Sequence, residues 1–306
     1  MIRFPTPHPL LCGILNVTPD SFSDGGRFDD PGAAAAHGRR LLEEGAHIID
    51  VGGESTRPGA APVPAEEQIR RVVPAIRALA ASRRGDDPPW SISIDTTSAA
   101  VAERAIAEGA TIVNDVSAGR DDPAILALAA KARAGLVLMH RRVAPASDRY
   151  SDRYDIPPEY GDVVRDVGAF LAQRVAAARA AGVPGEAIVI DPGFGFGKSV
   201  AQNFAMLARL AELREIHPLV MVGASRKSFL AAVDVPQAPV QGWTAESAGA
   251  PRPRPGPAAA VPADRLPASL AAAVLAALGG AAIVRIHDVA ATRQALAVVR
   301  ALRSGS

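Results

Sequence analysis

Eight short apolar runs in this chain end in groups that could do chemistry: Asn16, Asp50, Asp95, Asn114, His140, Asp191, the turn Ser225-Arg226-Lys227, and Arg285 with His287. The types are complementary. Asp95, Asn114 and Asp191 are carboxylates and an amide, suited to a flat heterocycle with several N–H donors and ring acceptors. Lys227 can donate to a ring carbonyl or nitrogen. Arg285 is planar, so it can stack on a heterocycle while contacting an anion. His287 and the first turn of the last helix can hold a phosphate or pyrophosphate. Asn16 offers a neutral oxygen to Mg²⁺, an ion that keeps water and phosphate oxygens as its other ligands. Together they read as a pterin-like or purine-like ring beside a magnesium pyrophosphate.

Such groups must be brought to one place by repeated elements. Ala187-Ile188-Val189-Ile190 reads as a buried strand that stops at Asp191, and Pro192-Gly193-Phe194-Gly195-Phe196-Gly197-Lys198 follows as a loop whose backbone can approach a ligand closely. The same strand, polar end and helix recur along the chain. Strands are expected at 10–15, 47–51, 91–95, 111–115, 136–140, 187–190, 219–222 and 282–286. Helices are expected near 31–44, 64–81, 98–108, 123–134, 162–181, 202–216, from Ser225, at 266–278 and on to about Leu302. This is α/β alternation about eight times over, at the length of a (β/α)₈ TIM barrel. An open doubly wound sheet would gather ligand groups at one switch point, whereas here polar groups end most strands. No G-x-G-x-x-G follows the first strand. A phosphate-loop reading of Gly197-Lys198-Ser199 fails because Pro192 stands where its first glycine is required.

Composition narrows the function further. The chain has 306 residues, is 48% hydrophobic and carries a net charge of +1, so it can bury a sizeable core and presents no global field for nucleic acid or a membrane surface. Aromatics at 4% argue against stacking platforms for single-stranded nucleic acid. Cys12 is the sole cysteine, which excludes an internal disulfide and a cysteine zinc cluster. No charged-then-apolar leader and no apolar run of membrane length is seen, so the expectation is a soluble, cytoplasmic, single-domain protein spanning 1–306. The Pro, Ala and Gly-rich stretch 232–263, before the last helix–strand unit, is expected to be a flexible insertion.

Longer motifs carry a family resemblance. Gly13-Ile-Leu-Asn-Val-Thr-Pro-Asp-Ser-Phe-Ser-Asp-Gly-Gly26, Val51-Gly-Gly-Glu-Ser-Thr-Arg-Pro-Gly59, Ser93-Ile-Asp-Thr96, Asn114-Asp115, Asp191-Pro-Gly-Phe-Gly-Phe-Gly-Lys198, Ser225-Arg-Lys227 and Arg285-Ile-His-Asp-Val289 resemble, in order, the signatures of the dihydropteroate synthases. The resemblance covers nearly the whole chain. It implies a (β/α)₈ barrel that condenses 6-hydroxymethyl-7,8-dihydropterin diphosphate with 4-aminobenzoate, giving 7,8-dihydropteroate and pyrophosphate with Mg²⁺. By resemblance, Asp95, Asn114, Asp191 and Lys227 hold the pterin and Arg285 lies against it. Asn16, Arg285 and His287 take pyrophosphate and the metal. Phe22, Pro58, Phe196, Lys227 and Ser228 receive the aminobenzoate, its carboxylate meeting the start of the seventh helix. Loops one and two, with Asp20, Asp24, Thr56 and Arg57, close over the site. Asp95, Asp24, Lys227 and Arg285 are the implied catalytic set, and a homodimer through the late helices is implied.

Two departures from the family pattern stand out. After His140 the family has a glycine-bearing turn, whereas this chain continues Arg141-Arg142-Val143-Ala144-Pro145, and the insertion before Arg265 is long. Two other readings compete. A pterin-binding domain of a corrinoid-dependent methyltransferase would not need the loops 18–26 and 55–59, yet both are intact. An inactive pterin-binding paralogue would have lost Asn16, Asp95, Lys227 or Arg285, and all four are present.

Overall fold

The computed structural model of the chain describes residues 8–18, 31–232 and 265–304. Eight parallel strands, β1 (Leu10–Asn16), β2 (Ile48–Gly52), β3 (Ser91–Asp95), β4 (Ile112–Asp115), β5 (Gly135–Met139), β6 (Ile188–Asp191), β7 (Met221–Val222) and β8 (Ile283–Ile286), form one sheet in the order β6-β5-β4-β3-β2-β1-β8-β7. A parallel bridge between Ile190 and Val220 joins the two edges and closes the barrel, as expected. The helices around it are α1 (Pro31–Glu43), α2 (Ala65–Ala81), α3 (Ala99–Ala107), α4 (Ala124–Ala132), α5 (Val163–Ala180), α6 (Val200–Ala208), α7 (Leu210–Ile216), α8 (Leu266–Leu278) and α9 (Val289–Ser304). No helix among the described residues is long and apolar enough to cross a membrane.

The strands are buried on both faces, and their two-residue period sorts the side chains. Ile49, Val51, Ile92, Ile94, Leu136, Leu138, Ile188 and Ile190 belong to the large core beneath the helices. Leu10, Cys12, Ile48, Val137, Val189, Leu219, Met221 and Ile283 fill the lower interior of the barrel as a separate cluster. Asp50, Asp191 and Arg285 lie two residues beyond Ile48, Val189 and Ile283, so they share the interior face, nearer the C-terminal mouth.

Two helix expectations need correction. The helix expected over 202–216 is broken at Arg209 (φ −112°, ψ 25°), whose guanidinium is pulled out to Asp162 at 2.8 Å and Glu212 at 2.7 Å. The helix expected from Ser225 does not begin there. Arg226 takes a left-handed conformation (φ 59°), Lys227 is extended, and only the single 3₁₀ turn Ser228–Ala231 follows. A regular helix cannot pass through such a pair. The insertion expected at 232–263 lies outside the described residues except for Ala232, as do Asp20, Phe22 and Asp24 of loop one.

Candidate active site

Strand register builds the site. Asn16 is level with Gly52, Gly52 with Asp95, and Asp95 with Asn114, so four neighbouring strands end in one row at the mouth. Gly52 leaves the gap in that row: a Cβ placed there would lie 3.6 Å from the Asn16 amide oxygen and 3.8 Å from Asp95 Oδ2. Ile14, Asp50 and Ser93 form the next row down. Across the barrel, Met139 is level with Asp191.

Arg285 rises from the interior face of β8 and bridges the two rows. Its Nε donates to Asp50 Oδ2 at 2.6 Å and its Nη2 to Asp95 Oδ2 at 2.7 Å, while Asn114 Nδ2 donates to the same Asp50 oxygen at 3.0 Å. The other oxygens, Asp50 Oδ1 and Asp95 Oδ1, are buried and have no hydrogen-bond partner among the described residues. Burial pushes the Asp95 carboxyl up to about 7 against the lowering pull of Arg285, with Asp50 adding to the rise. Burial likewise lifts Asp191 to about 6, although the Gly193 N–H donates to its Oδ1 at 2.7 Å and Arg285 is near. For Arg285, burial works against the charged form, but the Asp50 and Asp95 charges outweigh it and raise its pKa.

Lys227 stands opposite. Its ammonium lies 4.0 Å from the centroid of the Phe196 ring and makes no hydrogen bond or ion pair among the described residues. Burial, with Arg285 nearby, lowers it to about 8. A cation over a ring face at this distance is held electrostatically and keeps its donors for a ligand. Val116, Met139 and Phe196 form a third buried apolar cluster. The site thus has an apolar wall, a carboxylate–arginine floor and one uncommitted ammonium. Asp50, Val116 and Met139 were given no role in the sequence. For Asp50 and Met139, the signal was the two-residue period carried past Ile48 and Val137 on the interior face.

His287 meets Ser225 Oγ at 3.1 Å through Nδ1 and is kept neutral by burial, which lowers its pKa to about 3 with help from Arg226 and Arg285. Asp288, just before α9, is paired with Arg226 at 2.5 Å. Ser228 is buried at the start of the 3₁₀ turn. Thr56 lines a cavity of about 270 Å³ together with Asp95, Thr96 and Arg141. Arg57 is exposed, and the loop that carries it with Pro58 leans on loop five, the Gly59 N–H donating to the Pro145 carbonyl at 2.8 Å. His140, expected among the mouth groups, instead turns into the protein and meets Lys198 at 3.0 Å. Loop five, where the family pattern is lost, is tied down: Arg141 is buried and paired with Asp121, and Arg120 donates to its carbonyl at 2.6 Å.

Asn16 is the donor proposed for a metal, and its surroundings fit Mg²⁺. Among the described residues no cluster of three or more His, Cys, Asp or Glu could hold an ion. A single neutral amide oxygen at the end of β1 suits an ion that arrives with a diphosphate and keeps its own water.

Comparison with known proteins agrees with this geometry. The family described as pterin binding enzyme matches residues 12–287. The dihydropteroate synthase of Mycobacterium leprae is 45% identical over 291 residues, 95% of this chain and 92% of that one. The chain belongs to the dihydropteroate synthases. Two solved structures of the Xanthomonas albilineans dihydropteroate synthase are similar throughout. The one with 4-aminobenzoic acid has a TM-score of 0.79 at 42% identity, covering 97% of this chain and 94% of that one. The one in complex with 7,8-dihydropteroate has a TM-score of 0.76 at 39% identity, with the same coverage. As a dihydropteroate synthase, the chain is a transferase of folate biosynthesis.

Proposed function

We propose that the mouth of this barrel binds 6-hydroxymethyl-7,8-dihydropterin diphosphate and joins its methylene to the amine of 4-aminobenzoate. The observation that carries this is the Asp50–Arg285–Asp95 clamp, which leaves Asp95 Oδ1 buried and unpaired beside Asn114. A buried acceptor without a donor costs about 1–3 kcal/mol, and ring N–H groups remove that cost. Asp191 takes further ring donors, Lys227 donates to a ring acceptor, and Val116, Met139 and Phe196 cover the faces. Asn16, His287 and loop-two residues Thr56 and Arg57 are assigned to the diphosphate, and Pro58, Ser228, Phe196 and Phe22 to the aminobenzoate.

The C–O bond to the diphosphate breaks first, its electron pair leaving with the pyrophosphate. Aminobenzoate is a weak nucleophile because its lone pair is delocalised into its ring, whereas the pterin methylene can spread positive charge over an electron-rich ring. Arg285, Asn16 and His287 stabilise the departing charge, and Asp95, with Asp24 or Asp20 of loop one, stabilises the cation. Mg²⁺ held through Asn16 would supply further positive charge at the leaving group. The amine lone pair then forms the C–N bond and the nitrogen loses one proton.

Asp191→Asn is expected to weaken binding of a pterin analogue by about 1–3 kcal/mol, since half of a charged acceptor becomes a donor facing ring donors. Calorimetry that finds unchanged affinity would remove Asp191 from the pocket. Affinity should also depend on pH. Asp95 and Asp191 accept from ring donors most strongly when ionised, and their pKa values of about 7 and about 6 lie in the working range. Binding is therefore expected to weaken as pH falls through 7 and then 6, and to release protons in that window. An analogue that does not itself titrate there, measured in two buffers of different ionisation enthalpy, checks both.

The reading includes a homodimer in the cytoplasm, and the insertion is assigned no part in the chemistry. Leu275 and Leu278 of α8 and Val298 and Leu302 of α9 are each more than half exposed, an apolar face that supports association through these helices. Deleting the chain between Leu230 and Arg265, with both kept, should retain most of kcat. Both ends are anchored without it, Leu230 by burial and Arg265 by donation to the Arg226 carbonyl at 3.0 Å. Collapse of that variant, or loss of the dimer, would show that the insertion packs.

A further inference from the structure

Lys198 closes the glycine-rich loop after β6, and its side chain is completely buried. Its ammonium donates to the Gly193 carbonyl at 2.9 Å and the Phe196 carbonyl at 3.0 Å, and meets His140 Nδ1 at 3.0 Å. All three donors are used, and no carboxylate among the described residues pairs with it. Burial lowers its pKa to about 7, and Asp191 and Asp148 favour its charge only through space. The two carbonyls belong to the residues that shape the ring pocket. Gly193 is the N–H donor that aims Asp191, and Phe196 is the ring under the Lys227 ammonium. The other groups of the loop are claimed just as firmly. Asn203 Oδ1 accepts from Gly195 at 2.7 Å, Asp148 Oδ2 accepts from Gly197 at 3.0 Å, and Tyr160 donates to the Gly197 carbonyl at 2.9 Å. Gly193 can be nothing else: its φ is +69°, and a Cβ there would lie 2.0 Å from the His140 carbonyl oxygen. So this glycine-rich loop is a fixed cage with a buried cation at its centre. Burying an unpaired ammonium is costly, and an apolar residue would fill the space without that cost.

We propose that Lys198 is a positioning residue for both substrates. It holds Phe196 and Asp191 in place by fixing the two carbonyls of the turn that carries them, and it never touches the reacting atoms. This rests on the function proposed above. His140 completes the device as a neutral acceptor, since burial, with the Lys198 charge beside it, lowers its pKa to about 2.

The test uses Lys198→Met, which keeps the length and apolar stem but none of the donors. The dissociation constant of a pterin analogue and the KM for aminobenzoate are each expected to rise about tenfold or more, with kcat at saturation within about threefold of the parent. In a Phe196→Leu background, where the positioned ring is already gone, Lys198→Met should raise the aminobenzoate KM far less. His140→Phe, which keeps the ring but removes the accepting nitrogen, should shift the same two constants in the same direction by a smaller factor. A merely structural role lowers the melting temperature and leaves both constants unchanged. Unchanged constants in whichever of these variants folds overturn the proposal. Parent protein that fails to release pyrophosphate from the pterin diphosphate in the same assay would sink the underlying reading instead.

Discussion

Arg285→Met is expected to lower kcat/KM by about 10³-fold and to cost the folded protein several kcal/mol, because removing one partner of a buried ion pair leaves the other uncompensated, at about 3–5 kcal/mol. Here two carboxylates are left. Asp50 is 1% exposed and Asp95 7%, and both spend an oxygen on this one guanidinium. Without it they repel each other across the mouth, Asp95 moves further toward its protonated form, and the acceptor meant for the ring is lost. The same change takes away charge at the leaving group. Arg285→Lys keeps the charge but lacks the planar fork that reaches Asp50 and Asp95 together, so it should fall between parent and Met variant. Thermal melts and steady-state rates on the three proteins check this. A Met variant that turns over within tenfold of the parent would show that the clamp is not central.

The second large effect is on the order of binding. Aminobenzoate is expected to bind about 100-fold more weakly to the bare protein than to protein already holding pterin and pyrophosphate with Mg²⁺, a coupling at the upper end of what two sites usually share. Of the groups proposed for its pocket, Phe196 and Lys227 lie against each other, Arg57 is exposed, and loop two rests on Pro145. Phe22 and Asp24 belong to loop one, outside the described residues. Pyrophosphate beside Asn16 and His287 would give both loops a charge to close on. Asp24→Ala should accordingly lower kcat far more than it weakens pterin binding. Tight aminobenzoate binding to the bare protein by calorimetry would contradict the ordered scheme.

The barrel and the rim of its mouth were legible because parallel strands announce themselves as apolar runs, and the polar group at the end of each run must lie at the same end of the barrel. Asp95, Asn114, Asp191 and Arg285 were found that way, and the structure brings them together. Depth could not be read. Asp50 also ends its run, but register places it one row below Asp95, where it holds Arg285 and Asn114. Register is a property of pairs of strands, not of one. Lys198 was hidden for another reason. A lysine after glycines reads as a solvent-facing group or a phosphate ligand, and only the folded loop shows three acceptors converging on it. The break at Arg209 and the left-handed Arg226 were missed because side-chain pulls on Asp162 and Asp288 override local helical preference.

The central claim is that the charged mouth of this barrel performs the condensation itself. Rapid mixing of the protein, at a concentration above that of pterin diphosphate, with Mg²⁺ and labelled aminobenzoate tests it in a single turnover. The account predicts one pyrophosphate released for each labelled dihydropteroate formed, with both formed far more slowly in Arg285→Met. Pterin diphosphate that binds yet yields no labelled product, or a Met variant that forms product as fast as the parent, would contradict it.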